Sequence, residues 1–274
     1  YSGTFETATT ILKSIIKRTN QDTINVVIHT FNPTDYYGTI GYALVYDEDE
    51  TIPDGYGRYN IFFNPEYIYK ETEYYDNGSI RIPGSGDFFI GDTQIDASVM
   101  IMLHELLHLL GVGLGDAWYN NLLFKSGTTL TSYFPSNLTP NYLPEFSNFS
   151  TANVVAWGGE NAIKQYKKIL TDFGYNTTNI NYLPIENSGG SGSALQHPEE
   201  GRYVYNGLKY AEYIYIDGAH YPVILNDIIS ATIDSTQGDQ AYITEVTLGL
   251  LEDVGLDVNY DSPYVTTLSS ENTF

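Results

Sequence analysis

One short apolar stretch, from Met100 to Gly111, constrains this chain more than any other part of it. The stretch reads Met-Ile-Met-Leu-His-Glu-Leu-Leu-His-Leu-Leu-Gly and predicts an α-helix that is apolar nearly all round, and therefore buried. His104 and His108 are four residues apart, so they lie one above the other on the same face of that helix. Two buried imidazoles and the buried carboxylate of Glu105 are costly unless a metal ion or other partners compensate. The stretch therefore indicates a metal site inside the fold.

The residue types in this helix suit zinc. Histidines at positions i and i+4 of a helix can bind one zinc ion, and a glutamate beside the first can reach a water on that metal. The ion lowers the pKa of this water, and a nearby carboxylate can take its proton. We therefore predict that His104 and His108 are zinc ligands and that Glu105 is the general base of a peptidase. A supporting role for Glu105 beside the metal is the alternative.

A catalytic zinc ion usually has three protein ligands and one position for water. Outside the helix the chain contains three histidines, His29, His197 and His220, and an Asp or Glu can also serve as a ligand. His29 lies in an apolar, β-branched segment on the same face as Val27 and Phe31, so a histidine of the core or of the sheet surface is expected there. His197 and His220 remain as candidates for the third ligand.

The charge and composition exclude several classes of function. With 12 basic and 34 acidic residues, the 274-residue chain has a formal charge of -22. Such a chain repels a phosphate backbone, so no nucleic-acid partner is expected. No apolar run reaches the length of a membrane span. The absence of cysteine excludes disulfides, thiolate zinc ligands and a cysteine nucleophile.

The order of helical and strand patterns predicts a mixed α+β fold. Besides the zinc helix, apolar residues at helical spacing predict helices over residues 4–18, 160–173 and 243–254. Strands are predicted over residues 24–31, 39–46, 60–68 and 88–90. Irregular structure is expected over residues 114–151, and a hairpin around Asn206-Gly207 within residues 201–223. The acidic run at residues 47–50 is interpreted as a solvated turn, and calcium binding there has no further support.

The zinc helix and two later segments resemble the metzincin family of zinc peptidases, in particular its leishmanolysin-like branch. Residues 104–111 match the first eight positions of the metzincin zinc signature, and Gly111 is the glycine that ends the helix. Position 114 is Leu, where the short signature has its third histidine. In the leishmanolysin-like branch a long insertion separates that glycine from the third histidine. The helix near residues 161–166 resembles the one within that insertion, and residues 184–197 resemble the Gly-rich approach to the third histidine.

This resemblance implies that His197 is the third ligand and that the Gly/Ser tract at residues 188–193 belongs to the active-site wall. It also places Ile229 where the family has the methionine of a tight turn beneath the metal, a departure that removes no ligand. The segment between His197 and Ile229 is longer than expected for this branch, so His220 remains the rival third ligand. Residues 243–255 resemble the final helix of the family, which packs behind that turn.

The fold implied by the resemblance is a metzincin-like α+β zincin with two subdomains. The N-terminal one, residues 1–113, contains a twisted mixed sheet and the zinc helix. The more irregular C-terminal one, residues 114–274, contains the third ligand and the turn segment. Substrate is expected in the cleft between them, extended along a sheet edge.

The predicted function is that of a secreted or cell-surface zinc endopeptidase. It is expected to be a monomer with one catalytic Zn²⁺ and to act on protein or peptide substrates. An alternative from another class is a non-catalytic surface or adhesion module with a structural or vestigial metal site, which the missing turn methionine keeps open. A zinc hydrolase that acts on a non-peptide bond is a third interpretation.

Overall fold

The fold is known from a computed structural model. It describes residues 2–18, 24–31, 41–46, 50–64, 73–74, 80–82, 88–90, 93–126, 129–132, 155–186, 195–199, 213–216, 219–224, 227–231 and 241–268. These residues form helices and several small sheets in a mixed α+β arrangement, which is the fold class that the sequence predicts.

Five α-helices lie within the described residues: α1 Ser2–Ile15, α2 Ala97–Leu109, α3 Gly115–Tyr119, α4 Glu160–Asp172 and α5 Glu245–Asp253. Four of them correspond to the predicted helices. The amphipathic pattern of α4 is confirmed, since its apolar stripe is buried against α5. Thr244 caps α5, because its hydroxyl accepts hydrogen bonds from the first-turn amides of Val246 and Thr247.

The strands of the first half of the chain are β1 Ile16–Arg18, β2 Val26–Thr30, β3 Gly41–Val45, β4 Tyr59–Phe63, β5 Glu73–Tyr74, β6 Ile80–Ile82, β7 Phe88–Ile90, β8 Thr93–Ile95, β9 Leu122–Ser126 and β10 Thr129–Ser132. Those of the second half are β11 Val155–Trp157, β12 Leu183–Ile185, β13 Tyr213–Ile216, β14 Ala219–Pro222, β15 Ile243–Thr244, β16 Asp257–Val258 and β17 Val265–Thr266. Most are short, and they form several small sheets instead of one large sheet.

Two sheets position the helix α2 and the later segments. In the first sheet the order is β2-β4-β3, with β2 parallel to β4 and β3 antiparallel to it at one edge. Helix α2 packs on β3 and β4 of this sheet and on α1. The second sheet is antiparallel and has the order β10-β9-β11-β12. Its last strand, β12, leads toward the segment that contains His197.

Helix α2 is the most buried helix of the fold. Every residue from Ala97 to Leu109 is buried except His104, which is half-buried. This confirms the prediction of a buried helix and follows from its lack of a polar face. Asp96 is the residue before the first turn, but its side chain does not accept a hydrogen bond from the first-turn amides.

The structure corrects the expectation of irregular structure over residues 114–151 for the part that it describes. Helix α3 and the paired strands β9 and β10 occupy residues 115–132. Strand β9 also pairs with β11, from Leu122 opposite Trp157 to Phe124 opposite Val155. Local periodicity misses such strands because their stability comes from partners far along the chain. Residues 127–128 and 133–151 lie outside the described residues.

The structure describes one hairpin within residues 201–223. Strands β13 and β14 pair antiparallel on either side of residues 217–218, from Tyr213 opposite Pro222 to Ile216 opposite Ala219. Asn206-Gly207 lies outside the described residues, as do the Gly/Ser tract at residues 188–193 and residues 47–49 of the acidic run.

One cluster of buried apolar residues extends from Ala8 to Leu268 and includes both tryptophans. It contains residues from either side of residue 113, so the division into two subdomains there stays a prediction. None of the described helices has the length and apolar character needed to cross a membrane.

Candidate metal centre

The side chains of three histidines converge near the C-terminal end of α2. The Nε2 atom of His108 lies 3.1 Å from that of His104 and 3.1 Å from that of His197, and the third separation, between His197 and His104, is 3.3 Å. His108 and His197 are buried, with 6% and 2% of their surfaces exposed. Among the residues that the structure describes, these three form a group able to hold a metal ion.

The turn after α2 fixes the orientation of His108. Gly111 has a φ of 105°, and the amide of Gly111 donates to the His108 carbonyl while the amide of Val112 donates to the Leu107 carbonyl. These two bonds form the Schellman motif that ends many helices at a glycine. The motif turns the Val112 carbonyl back toward the helix, where it accepts a hydrogen bond of 2.7 Å from Nδ1 of His108. The same turn therefore ends the helix and orients the His108 side chain by a backbone contact.

A second backbone carbonyl orients His104. Its Nδ1 atom lies 2.7 Å from the carbonyl oxygen of Ile228, in a segment 124 residues further along the chain. A carbonyl oxygen can only accept, so Nδ1 carries the proton in both His104 and His108. The neutral form of each ring then has a lone pair and no proton on Nε2. The short contact between the Nε2 atoms of His104 and His108 therefore brings two lone pairs together instead of forming a hydrogen bond.

The electrostatics of the cluster keep these rings neutral. Burial lowers the pKa of His104, although the hydrogen bond to Ile228 opposes this effect. The pKa of His108 is lowered well below its usual range, mainly by burial and then by the two neighbouring imidazoles. Metal ions bind neutral imidazole, and a cation between the Nε2 atoms of His104 and His108 would turn the repulsion of their lone pairs into coordination. The residues present thus fit a metal ion.

A strained backbone delivers His197 to the cluster. Leu195, two residues earlier, has a φ of 69°, in the left-handed region that non-glycine residues rarely adopt. The amide of Leu195 donates to the Glu186 carbonyl, and the amide of Glu186 donates to the His197 carbonyl. The buried indole of Trp118 donates to the Leu195 carbonyl at 2.8 Å. These three hydrogen bonds hold the strained residue and set the path of the chain into His197.

Gly113 allows the His197 segment to approach the helix closely. A Cβ atom at this position would lie 2.6 Å from the carbonyl oxygen of Gln196 and 2.9 Å from Nδ1 of His108. The φ of Gly113 is also positive, at 79°. Both the conformation and the lack of a side chain are therefore required where the two ligand-bearing segments meet.

Glu105 is held in a tight, apolar environment on the same helix. Only 3% of the residue is exposed, and its Oε2 atom has no hydrogen-bond partner. Burial raises the pKa of Glu105 to about 8. A cation beside the carboxylate would favour its charged form and lower this pKa.

The edge strand β3 lies against Glu105. A Cβ atom on Gly41, the first residue of β3, would lie 2.9 Å from Oε1 of Glu105 and 3.0 Å from Cγ2 of Ile101. The glycine thus leaves just enough space for the carboxylate between the helix and the sheet.

His29 and His220, the two histidines outside the cluster, lie on strands. His29 is half-buried in β2, where its Nε2 atom is 3.1 Å from Oδ1 of Asn60 and its ring stacks on Phe62 at 4.5 Å between centroids. This environment agrees with the expected sheet histidine. His220 lies in β14 opposite Tyr215, and its side chain lies outside the described part of the chain.

The segment predicted as the turn beneath the metal contacts His104 through Ile228, as described above. Ile229, the residue at the predicted methionine position, is fully buried. The chain therefore has a bulky apolar side chain at this position, next to the carbonyl that contacts His104.

Several contacts around the three histidines cannot be predicted from the sequence. The carbonyls of Val112 and Ile228 are backbone groups, and no residue pattern reports them. The close approaches at Gly41 and Gly113 depend on pairs of distant segments. The Gly111-Val112-Gly113 tripeptide is the one local signal of the close approach at Gly113, because a second glycine follows the one that ends the helix.

Comparison with known proteins yields no relative for this chain. No protein-family profile matches it, and no significant match was found among curated proteins or among solved structures.

Proposed function

We propose that this chain is a zinc-dependent endopeptidase. The observation that carries the proposal is the convergence of the Nε2 atoms of His104, His108 and His197 on the helix that also contains the buried Glu105. Two of these histidines are buried, which is costly without a compensating cation, and the neighbouring carboxylate of Glu105 adds a proton acceptor.

The donor set and its dimensions favour zinc. Imidazole nitrogens suit zinc, whereas calcium and magnesium prefer oxygen ligands, so calcium is not proposed at this site. With Zn–N bonds of roughly 2.0–2.1 Å, the edge of a tetrahedron is about 3.3–3.4 Å long. The separations of 3.1 to 3.3 Å between the Nε2 atoms are close to this length. Three histidines also leave one tetrahedral position for water or substrate, as in catalytic zinc sites.

The residues of the chain then have distinct tasks. A bound zinc ion supplies a Lewis acid that polarises the scissile carbonyl and makes water a better nucleophile. His104 and His108 hold the ion through Nε2 while their Nδ1 protons stay on backbone carbonyls. Glu105 accepts the proton of the attacking water on its carboxylate and passes it to the nitrogen of the leaving amine. The apolar surroundings of Glu105 keep bulk water from competing for that proton.

The edge strand β3 is the proposed docking site for substrate. Its partner β4 lies on one side, and no strand of the described residues pairs with the other. An extended peptide can add to such an edge by backbone hydrogen bonds. Gly41 at the start of β3 is in contact range of Glu105, so a peptide bound along β3 would pass beside the general base.

The resemblance to leishmanolysin-like metzincins supports the same function. The Gly111 turn directly after the helix, the helix α4 between that turn and His197, and the segment against His104 are compatible with it. We propose a metzincin-like fold and a secreted or cell-surface location on this basis. Peptide or protein is the proposed substrate class.

Digestion of a peptide library tests the proposal. Purified protein with one equivalent of zinc should cleave internal peptide bonds, lose this activity with a chelator and regain it when zinc is added. Zinc uptake without cleavage of any peptide or protein would contradict the peptidase and favour a non-catalytic module with a structural metal. Cleavage of an ester or another non-peptide bond alone would point to a different hydrolase.

A further inference from the structure

We infer that Asp227 is a positioning residue for His104, because its buried carboxylate fixes the peptide unit whose carbonyl accepts the His104 Nδ1 proton. The inference rests on the proposed metal site, since its consequence is the geometry of one ligand. It assigns a role to a residue that lies outside the zinc-binding motif and that contacts no ligand directly.

The contacts of Asp227 are with the backbone and with the start of α5. Asp227 is 2% exposed. Its Oδ1 atom accepts hydrogen bonds from the Ile229 amide at 3.0 Å and from the Thr247 hydroxyl at 2.5 Å. Its Oδ2 atom accepts from the Thr244 hydroxyl at 2.5 Å. The carboxylate thus ties the segment beneath His104 to the first turn of α5.

The donors around Asp227 favour the ionised form of its carboxylate. The Thr244 hydroxyl oxygen already accepts from the amides of Val246 and Thr247, so its proton is directed to Asp227. The amides of Ile229 and Thr244 and the hydroxyls of Thr244 and Thr247 interact with this carboxylate, and an ionised carboxylate accepts at both oxygens. Burial raises the pKa of Asp227, while the hydroxyl and amide donors lower it. The positive end of α5 adds to the stabilisation of the negative charge.

A single peptide plane connects Asp227 with His104. The carbonyl of Ile228 and the amide of Ile229 belong to the same planar trans peptide unit, so their oxygen and hydrogen point in opposite directions. Asp227 accepts the amide hydrogen on one side, and the oxygen on the other side accepts the Nδ1 proton of His104. A negative charge at the amide end polarises the peptide and strengthens its carbonyl as an acceptor.

Two further bonds keep this segment in register. The Ile228 amide donates to the Tyr242 carbonyl at 2.6 Å, and the Ser230 amide donates to the Asp227 carbonyl at 2.9 Å. Carboxylates that act on metal-binding histidines usually accept the imidazole proton directly. Here a peptide group stands between the carboxylate and the imidazole and transmits both orientation and charge.

The test compares metal affinity of the folded protein between matched variants. Asp227→Asn keeps the size of the side chain but removes its charge. It also places the NH₂ group of the amide, a donor, against groups that donate to Asp227 in the wild type. Glu245→Gln is the control, because Glu245 is also a buried acidic residue, 9% exposed, in the first turn of α5. Its carboxylate pairs with Lys168 of α4 at 2.8 Å and does not contact the segment beneath His104. Dissociation constants for zinc are measured by competition with a chromogenic chelator, and unfolding of the metal-free proteins by denaturant.

Asp227→Asn should weaken zinc binding roughly 10- to 100-fold, as is usual for groups that support metal-binding histidines. It should also shift the visible absorption of the cobalt(II) form, which reports ligand geometry. Glu245→Gln should leave the zinc dissociation constant and the cobalt spectrum unchanged. If Asp227→Asn does not fold, Thr247→Val removes only one donor to Oδ1 and should give a smaller loss of affinity in the same direction.

Equal zinc affinity and equal cobalt spectra in wild type, Asp227→Asn and Thr247→Val would overturn the positioning role, whatever the loss of stability. This outcome leaves the proposed function intact. If the wild-type protein binds neither zinc nor cobalt, the proposed function itself is refuted and the inference with it.

Discussion

The Nδ1 atom of His104 donates a hydrogen bond of 2.7 Å to the carbonyl oxygen of Ile228, which lies 124 residues further along the chain. This bond selects the tautomer of His104 and directs its Nε2 atom toward those of His108 and His197. A corresponding bond from His108 to Val112 has the same effect on the second ring. Two histidines of one helix are therefore oriented by two backbone carbonyls, one local and one remote.

Replacement of Glu105 separates metal binding from catalysis. Glu105→Gln keeps the shape of the side chain but removes its ability to take a proton, so peptide hydrolysis should fall by at least roughly 100- to 10,000-fold. The bound zinc should remain at one equivalent, because the three histidines are unchanged. Steady-state hydrolysis and metal analysis of the same preparation check this. Undiminished hydrolysis by a clean preparation would contradict the assigned role.

An added methyl group at Gly41 should displace the carboxylate of Glu105. The new Cβ would lie 2.9 Å from Oε1 of Glu105, so Gly41→Ala should push the carboxylate from its position and lower kcat. Gly3→Ala is the control, because a Cβ at Gly3 meets nothing within 4 Å. Zinc content should be unchanged in both variants. Equal kcat values for the two variants would show that the contact with Glu105 does not matter.

Gly113 offers a test of the close approach between the two ligand segments. Gly113→Ala and Gly174→Ala both place a side chain on a residue with positive φ, 79° and 80°, and each should lose about 1–2 kcal/mol of unfolding free energy for that reason. Only at Gly113 does the Cβ also clash with Gln196 and His108, which should add about 1–3 kcal/mol. Denaturant unfolding measures both losses. Zinc affinity should fall in Gly113→Ala and stay unchanged in Gly174→Ala.

The helices and the centre of the site could be predicted because their signals are local. His104, Glu105 and His108 share one helical turn, and the glycine that ends the helix follows directly. The apolar stripe of α4 and the Thr244 cap of α5 are likewise complete within a few residues. In each case a periodicity of 3.6 residues or a capping residue carries the information.

The remainder depends on contacts between distant segments. Strand β9 pairs with β11 more than 30 residues later, and its own sequence does not report that partner. For the hairpin, Asn206-Gly207 and Asp217-Gly218 carry the same type of turn signal, and β13 and β14 lie on either side of the second. The roles of the Ile228 carbonyl and of Asp227 follow only from the folded backbone.

Trp118 should hold the His197 segment through its indole proton. Trp118→Phe removes the donor to the Leu195 carbonyl, and a buried acceptor left unpaired costs about 1–3 kcal/mol of unfolding free energy. Trp157→Phe is the matched control, since Trp157 is equally buried but donates to Asp253. Both should be less stable than wild type by denaturant unfolding. Only Trp118→Phe should also bind zinc more weakly, and equal zinc affinities would contradict the role of this bond.

The zinc content of the His197→Ala and His220→Ala variants tests the central claim most directly. Each variant is purified, equilibrated with zinc, freed of unbound metal and analysed beside the wild type. The convergence of His104, His108 and His197 predicts one equivalent of zinc in the wild type and in His220→Ala, and a loss of most of it in His197→Ala. Full zinc content in a folded His197→Ala protein, or loss of zinc only in His220→Ala, would contradict the proposed metal centre.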